Sequence, residues 1–186
     1  MASKVEIANA ALNGLGAERI TTLDEDSESA RKVDTIYEST LKALLRAHFW
    51  NFAMKEASLA RLSDVPVLSD YTYIFQLPSD FVRLKKTNLD ETDNYKVKGK
   101  RIYCNSTTLK IEYVYFCDDP NEYDAAFIDA LSARLAAELC YSITANASLT
   151  ELKWAEFKEK FQKAKSVDSQ EETPDKPKQG SWIRGR

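Results

Sequence analysis

The chain has 186 residues, of which 44% are hydrophobic and 30% charged, and its formal net charge is −3. That length suits one domain, or one domain with a small annex, and it can bury a core without metal or disulfide staples. The charge balance lacks the basic excess of a dedicated DNA-binding domain, and five Gly and five Pro leave little room for long unstructured stretches.

The N-terminal run Met-Ala-Ser-Lys-Val-Glu-Ile turns charged before an apolar segment can form, so no signal peptide is expected. No stretch approaches the roughly 20 apolar residues of a membrane span. Val5, Ala8, Leu12 and Leu15 then recur at helical spacing, with Gly16 as the predicted C-terminal cap. Thr22 and Glu25 stand at capping-box spacing and predict the start of a long helix. Its inner face would carry Ala30, Val33, Ile36, Tyr37, Leu41, Leu44 and Leu45, and it would run to Phe49 and Trp50. From Ala53 to Pro66 the pattern fits either alternation or irregular helix.

The period then changes to two. Tyr71, Tyr73 and Phe75 alternate with polar neighbours and predict a strand. Leu77-Pro-Ser-Asp80 predicts a turn, with Asp80 closing it, and Phe81–Lys86 a strand or short helix. Tyr95–Cys104 predicts a hairpin turning near Gly99, and Leu109–Phe116 is a cleanly alternating strand. Asp118-Asp-Pro-Asn121 would break the sheet, its two aspartates capping a helix from Tyr123 to Thr144. The alanines at 125, 126, 130, 133, 136 and 137 would let neighbours approach closely. A last helix is expected from about Leu149 to Lys165, burying Trp154, Phe157, Phe161 and Ala164.

These elements predict a mainly α fold with a small β insert, of the α+β class. Residues 1–66 and 118–167 would form an antiparallel helix bundle, 67–117 a projecting hairpin or sheet, and 168–186 an extended, flexible C-terminal arm. That arm is polar yet ends Gly180-Ser-Trp-Ile-Arg-Gly-Arg, and a tryptophan so placed gains little unless a partner buries it or it packs back on its own bundle.

Motifs for catalysis are sparse. His48, the single histidine, has no nucleophile motif beside it, and a helix-end position that complements the dipole suits it better than a catalytic role. Asp118 and Asp119 are adjacent, which suits capping better than acid/base work across a bound sugar. No phosphate-cradling glycine motif occurs. Cys104, Cys117 and Cys140 lack metal-ligand spacing and read as free thiols of a reducing cytoplasm. No cofactor and no metal are therefore expected. Lys96, Lys98, Lys100 and Arg101 make a basic hairpin between tyrosines. It reads as a charged strand edge that deters aggregation, or as a contact for nucleic acid.

In order and spacing, several motifs resemble the head–tail adaptor proteins of tailed phages, especially the tail tubular protein A family of short-tailed phages. The residues concerned are Ile7-Ala-Asn-Ala-Ala-Leu-Asn-Gly-Leu-Gly16, Ser29-Ala-Arg31, Trp50-Asn-Phe-Ala53 with Leu59, and Tyr73 through Leu84. Further along they are Leu135-Ala-Ala-Glu-Leu139, Ala164-Lys165 with Asp168, and Ser181-Trp-Ile-Arg-Gly-Arg186. The stretches 88–95 and 105–108 carry no such likeness.

The resemblance implies a structural virion protein and not an enzyme. It implies a ring, commonly of twelve copies, between the portal protein and the tail nozzle, lining the channel through which genomic DNA leaves. The protein would sit at the head–tail junction of the virion, and in the host cytoplasm during assembly. The arm residues Ser181, Trp182, Ile183, Arg184 and Arg186 would dock on the portal. Lys96, Lys98, Lys100 and Arg101 would meet the nozzle or a neighbouring copy. A ring closes through heterologous contacts, so each copy needs two different faces, and helix faces bearing both charge signs would serve. The alternatives are a tail completion protein that contacts the tail tube, and a nucleic-acid-binding regulator. Some tail proteins degrade the cell wall, but no lytic motif occurs here.

Overall fold

The computed structural model describes residues 3–64, 66–67, 70–90 and 93–171. Helix α1 spans Lys4–Asn13. It is opened by a capping box, in which Glu6 N–H donates to the Ser3 hydroxyl at 3.1 Å and Ser3 N–H to the Glu6 carboxylate at 2.8 Å. Its end is a Schellman turn. Ala17 N–H reaches back to the Leu12 carbonyl and Gly16 N–H to that of Asn13, both at 3.1 Å, with Gly16 at φ +70°. Gly16 thus takes the left-handed position the sequence predicts for it, while Gly14 remains right-handed.

Helix α2 (Glu28–Ala47) starts and ends elsewhere than expected. Its N-cap is Ser27, whose hydroxyl accepts from Ala30 N–H at 3.1 Å. Glu25 instead turns back, and its carboxylate accepts from the Thr21 hydroxyl and N–H, both at 2.7 Å. The helix stops at Ala47 because the aromatic run that follows is used sideways. Trp50 donates its indole N–H to the Leu44 carbonyl at 3.0 Å, satisfying a group the helix end would orphan. Its ring meets Phe127 edge-on at 4.9 Å.

Helix α3 (Ala125–Thr144) is the centre of the helical body. Each of α1, α2 and the following helix packs on it, and its small residues Ala130, Ala133, Ala136 and Ala137 are buried on all these sides. Asp124 caps it, accepting from Ala126 N–H at 2.7 Å. Of the two aspartates expected to cap it, Asp119 caps only the short 3-10 turn Pro120–Glu122 before it, and Asp118 pairs with Lys4. After Ala145, in the left-handed region at φ 51°, α4 (Ala147–Glu171) returns along α3 as an antiparallel hairpin. It runs six residues beyond the predicted end at Lys165. Asp168, expected to begin the arm, is a buried helical residue.

Among the described residues, six antiparallel strands form two three-stranded sheets. They are β1 (Met54–Ser58), β2 (Tyr73–Gln76), β3 (Phe81–Thr87), β4 (Lys96–Lys98), β5 (Arg101–Cys104) and β6 (Lys110–Tyr115). The orders are β1-β6-β3 and β2-β5-β4. Strand β1 resolves the ambiguous stretch after Ala53 and lies inside the segment 1–66 expected to be helical. Beyond β1 the chain passes from one sheet to the other. Leu59 N–H donates to the Leu109 carbonyl, then Leu62 N–H to that of Ile74, both at 2.8 Å. Strands β4 and β5 join through Gly99-Lys100, with Gly99 at φ 57° and Lys98 paired to Arg101.

The fold is α+β with two cores. The larger lies around α3 and takes Val114 from β6 and Cys117 from just beyond it. The smaller lies between the sheets, around Phe75, Ile102, Leu109, Ile111 and Tyr113. Tyr115 packs against both. Two arginines also tie α2 to β3. Arg46 donates to the Val82 carbonyl at 2.6 Å and Arg83 to the Arg46 carbonyl at 3.0 Å.

Candidate interaction surfaces

The arm residues Ser181, Trp182, Ile183, Arg184 and Arg186 lie outside the described residues. The root of the arm does not. In the last turn of α4, the Asp168 carboxylate accepts from Asn51 N–H at 2.9 Å and lies 3.0 Å from His48 Nε2. The Asp168 carbonyl accepts from the Asn51 side chain at 2.8 Å. His48 also stands edge-on to Trp50 at 4.8 Å. It sits at the C-terminal end of α2, as expected, but faces a carboxylate 120 residues away in sequence. The hydrogen bonds clamp the far end of α4 to the joint between α2 and β1. A buried carboxylate with two partners is a far stiffer anchor than an exposed ion pair.

The hairpin does gather the four predicted basic residues. Strand β4 is a sheet edge, and Lys96, Val97 and Lys98 are all exposed, beside exposed Tyr95. The cations are not equally free. Lys98 Nζ lies 5.1 Å from the centre of the Tyr103 ring, and Arg101 pairs with Asp64 at 3.6 Å. Lys96 and Lys100 have no ion pair among the described residues. The Lys100 carbonyl accepts from Leu77 N–H at 3.0 Å and Gln76 Nε2 at 3.1 Å, which fastens the turn to β2. The hairpin therefore presents a fixed basic edge with an apolar stripe.

Among the described residues, grooves mark the helical body on two sides. One, of about 420 Å³, runs between α2 and the C-terminal half of α3, and Arg31 and Lys32 face Glu28 and Glu138 there. Its charges balance. The other, of about 530 Å³, lies between the N-terminal turns of α3 and the second half of α4. Asp124, Asp129, Glu156 and Glu159 line it with Lys160 and Lys163.

The other polar side chains of interest are structural. Asp80 does not close its own turn. Its carboxylate accepts from the Tyr113 hydroxyl at 3.1 Å and pairs with Lys55 at 3.2 Å. Burial, reinforced by Asp80, pushes the Tyr113 hydroxyl up to about 12. Cys104, Cys117 and Cys140 are free and buried, and burial raises the first two thiols above their usual range. Sequence patterning missed Asp168 and also Asn9, a buried amide on α1. Asn9 donates to the Ile20 carbonyl and accepts from Ile20 N–H, both at 2.8 Å, as a strand partner would. Nothing in the local sequence marks either residue, because their partners are 11 to 120 positions distant.

Compared with known proteins, the chain matches no family profile and no curated protein.

Proposed function

We propose that this protein is a structural head-to-tail adaptor of a tailed phage. Copies of it form a ring, of the twelve subunits that the resemblance implies, between the portal and the tail nozzle, around the DNA exit channel. The arm residues Ser181, Trp182, Ile183, Arg184 and Arg186 dock on the portal. The basic edge at Lys96, Lys98, Lys100 and Arg101 meets the nozzle or the next copy. The balanced-charge groove between α2 and α3 offers one of the two faces a heterologous ring contact needs.

The observation that carries this proposal is the clamp on Asp168. An arm that must find a site on another ring profits from a root held in one direction. Asp168 fastens the last helix to His48 and Asn51 only three residues before the described body ends at Glu171. The residues that carry the resemblance also fall at joints of the fold. Gly16 ends α1, Trp50 and Asn51 turn α2 into β1, and Ala164 and Asp168 lie on the buried side of α4.

The test is the light-scattering mass of the full chain, alone and mixed with a panel of phage portal proteins. A ring-sized complex with one portal is expected. Trp182→Ala should weaken it at least about thirtyfold, as an interface hot spot worth about 2 kcal/mol does. If no portal associates and the chain instead binds DNA with steep salt dependence through the hairpin, the adaptor assignment falls and the regulator takes its place.

A further inference from the structure

We propose that in the free protein the chain's own residues 176–186 occupy the groove between α3 and the second half of α4, stowing Trp182 until a partner draws it out. Three observations converge on this groove.

The first is position. Because α4 returns antiparallel along α3, its C-terminal half lies beside the N-terminal turns of α3. The groove extends to Val167, one helical turn before the described body ends at Glu171. The chain outside the described residues therefore starts at the mouth of this groove. The α2/α3 groove lies against the opposite end of α3.

The second is charge. The groove carries four carboxylates and two ammonium groups. Lys160 is already committed to Glu156, at 2.9 Å, whereas Asp129 and Glu159 have no ion pair among the described residues. Residues 176–186 hold Lys176, Lys178, Arg184 and Arg186 and no acidic side chain. The α2/α3 groove has balanced charge and offers no such complement.

The third is reach and shape. Ten residues lie between Glu171 and Trp182, and the eleven steps from one to the other can span up to about 36 Å. The groove follows α4 from Glu156 to Val167, about 16 Å of helix. Trp182 can thus turn back into it with slack. Ala125 and Ala126 on the α3 side leave room for an indole, and Val167 supplies an apolar wall. A tether of this length holds its end at about millimolar effective concentration, so even weak contacts stow it. An external partner must then outcompete the groove, and its apparent affinity falls by the fraction of arms that are free. The proposal does not require that this partner be the portal.

The experiment is amide NMR on the isotope-labelled full chain and on full-chain Trp182→Ala, without any partner. Trp182→Ala should shift the amides of Ala126, Asp129, Glu159, Lys163 and Val167 and leave those of the hairpin in place. The Trp182 indole signal should be displaced from its random-coil position in the native chain. It should return there in the full-chain Asp129→Lys, Glu159→Lys variant, whose substitutions are both at exposed positions. A random-coil indole in the native chain, or groove amides that ignore Trp182→Ala, overturns the proposal. Groove shifts that vanish on dilution overturn it too, because the occupant is then the arm of a second copy. Since no portal is present, failure here leaves portal docking to its own test.

Discussion

At Asp168 two donors of Asn51 and a ring nitrogen of His48, all from a distant part of the chain, meet one carboxylate and one carbonyl, almost out of reach of water. Removing that carboxylate strands Asn51 N–H and a ring nitrogen of His48. Asp168→Ala should therefore cost about 2–3 kcal/mol in urea unfolding. By contrast, Arg31→Ala breaks an exposed pair with Asp26 and should cost less than about 0.5 kcal/mol. Equal effects would mean that the clamp is not formed in solution. Glu25 offers a test by pH. Hydrogen bonds from Thr21, its hydroxyl foremost, hold the Glu25 carboxyl at about 2, against an ordinary 4.5. The depressed value means that the fold favours the charged form. The gain is complete above about pH 4.5 and is lost as pH falls toward about 2. Carbon-detected NMR titration of Glu25 should give a midpoint near 2; a midpoint near 4.5 would show that the Thr21 turn is absent.

Elements depend on how their ends are closed, and the two glycines that end α1 separate sharply. Gly16 sits at φ +70°, where a Cβ is strained, so Gly16→Ala should destabilise the protein by about 1 kcal/mol. Gly14 is right-handed, and an added Cβ would meet nothing nearer than the Ala11 carbonyl at 3.4 Å. Gly14→Ala should be neutral or stabilise by up to about 1 kcal/mol in thermal melts. The first stop was legible because a Schellman turn is written within six residues. Strand β6 was legible too, since its two-residue period reports one buried face. The close of α2 was not, because Phe49 and Trp50 continue an apolar stripe while their backbone has already left the helix. Strand β1, Met-Lys-Glu-Ala-Ser, has almost no apolar alternation, and only its ladder with β6 makes it a strand. The last turns of α4 are polar and looked like tail, yet Asp168 secures them through partners more than a hundred residues away. The basic hairpin was readable as a cluster. That Arg101 is already paired with Asp64 was not, because their contact is tertiary.

For the molecule as a whole, β6 is the shared member. Ile111 and Tyr113 lie in the small core, Val114 in the large one, and Tyr115 touches both. The two cores should thus unfold together. The cysteines report on each separately, Cys104 from the small core and Cys117 and Cys140 from the large. All three should resist a thiol reagent at neutral pH and become reactive at the same urea concentration, read by mass spectrometry of the labelled peptides. Earlier labelling of Cys104 would show that the sheets open independently. The central place of α3 has a further consequence during synthesis. The apolar faces of α1 and α2 are complete by Ala47, but Phe127 and Leu131, on which they close, follow about eighty residues later. At about 5–20 residues per second that is roughly 4–16 s on the ribosome with two sticky helices and no seat for them. A nascent chain of this protein is thus a client for chaperones until α3 emerges. Its yield in the cell should depend on translation speed between β1 and α3 more than on the stability of the finished fold.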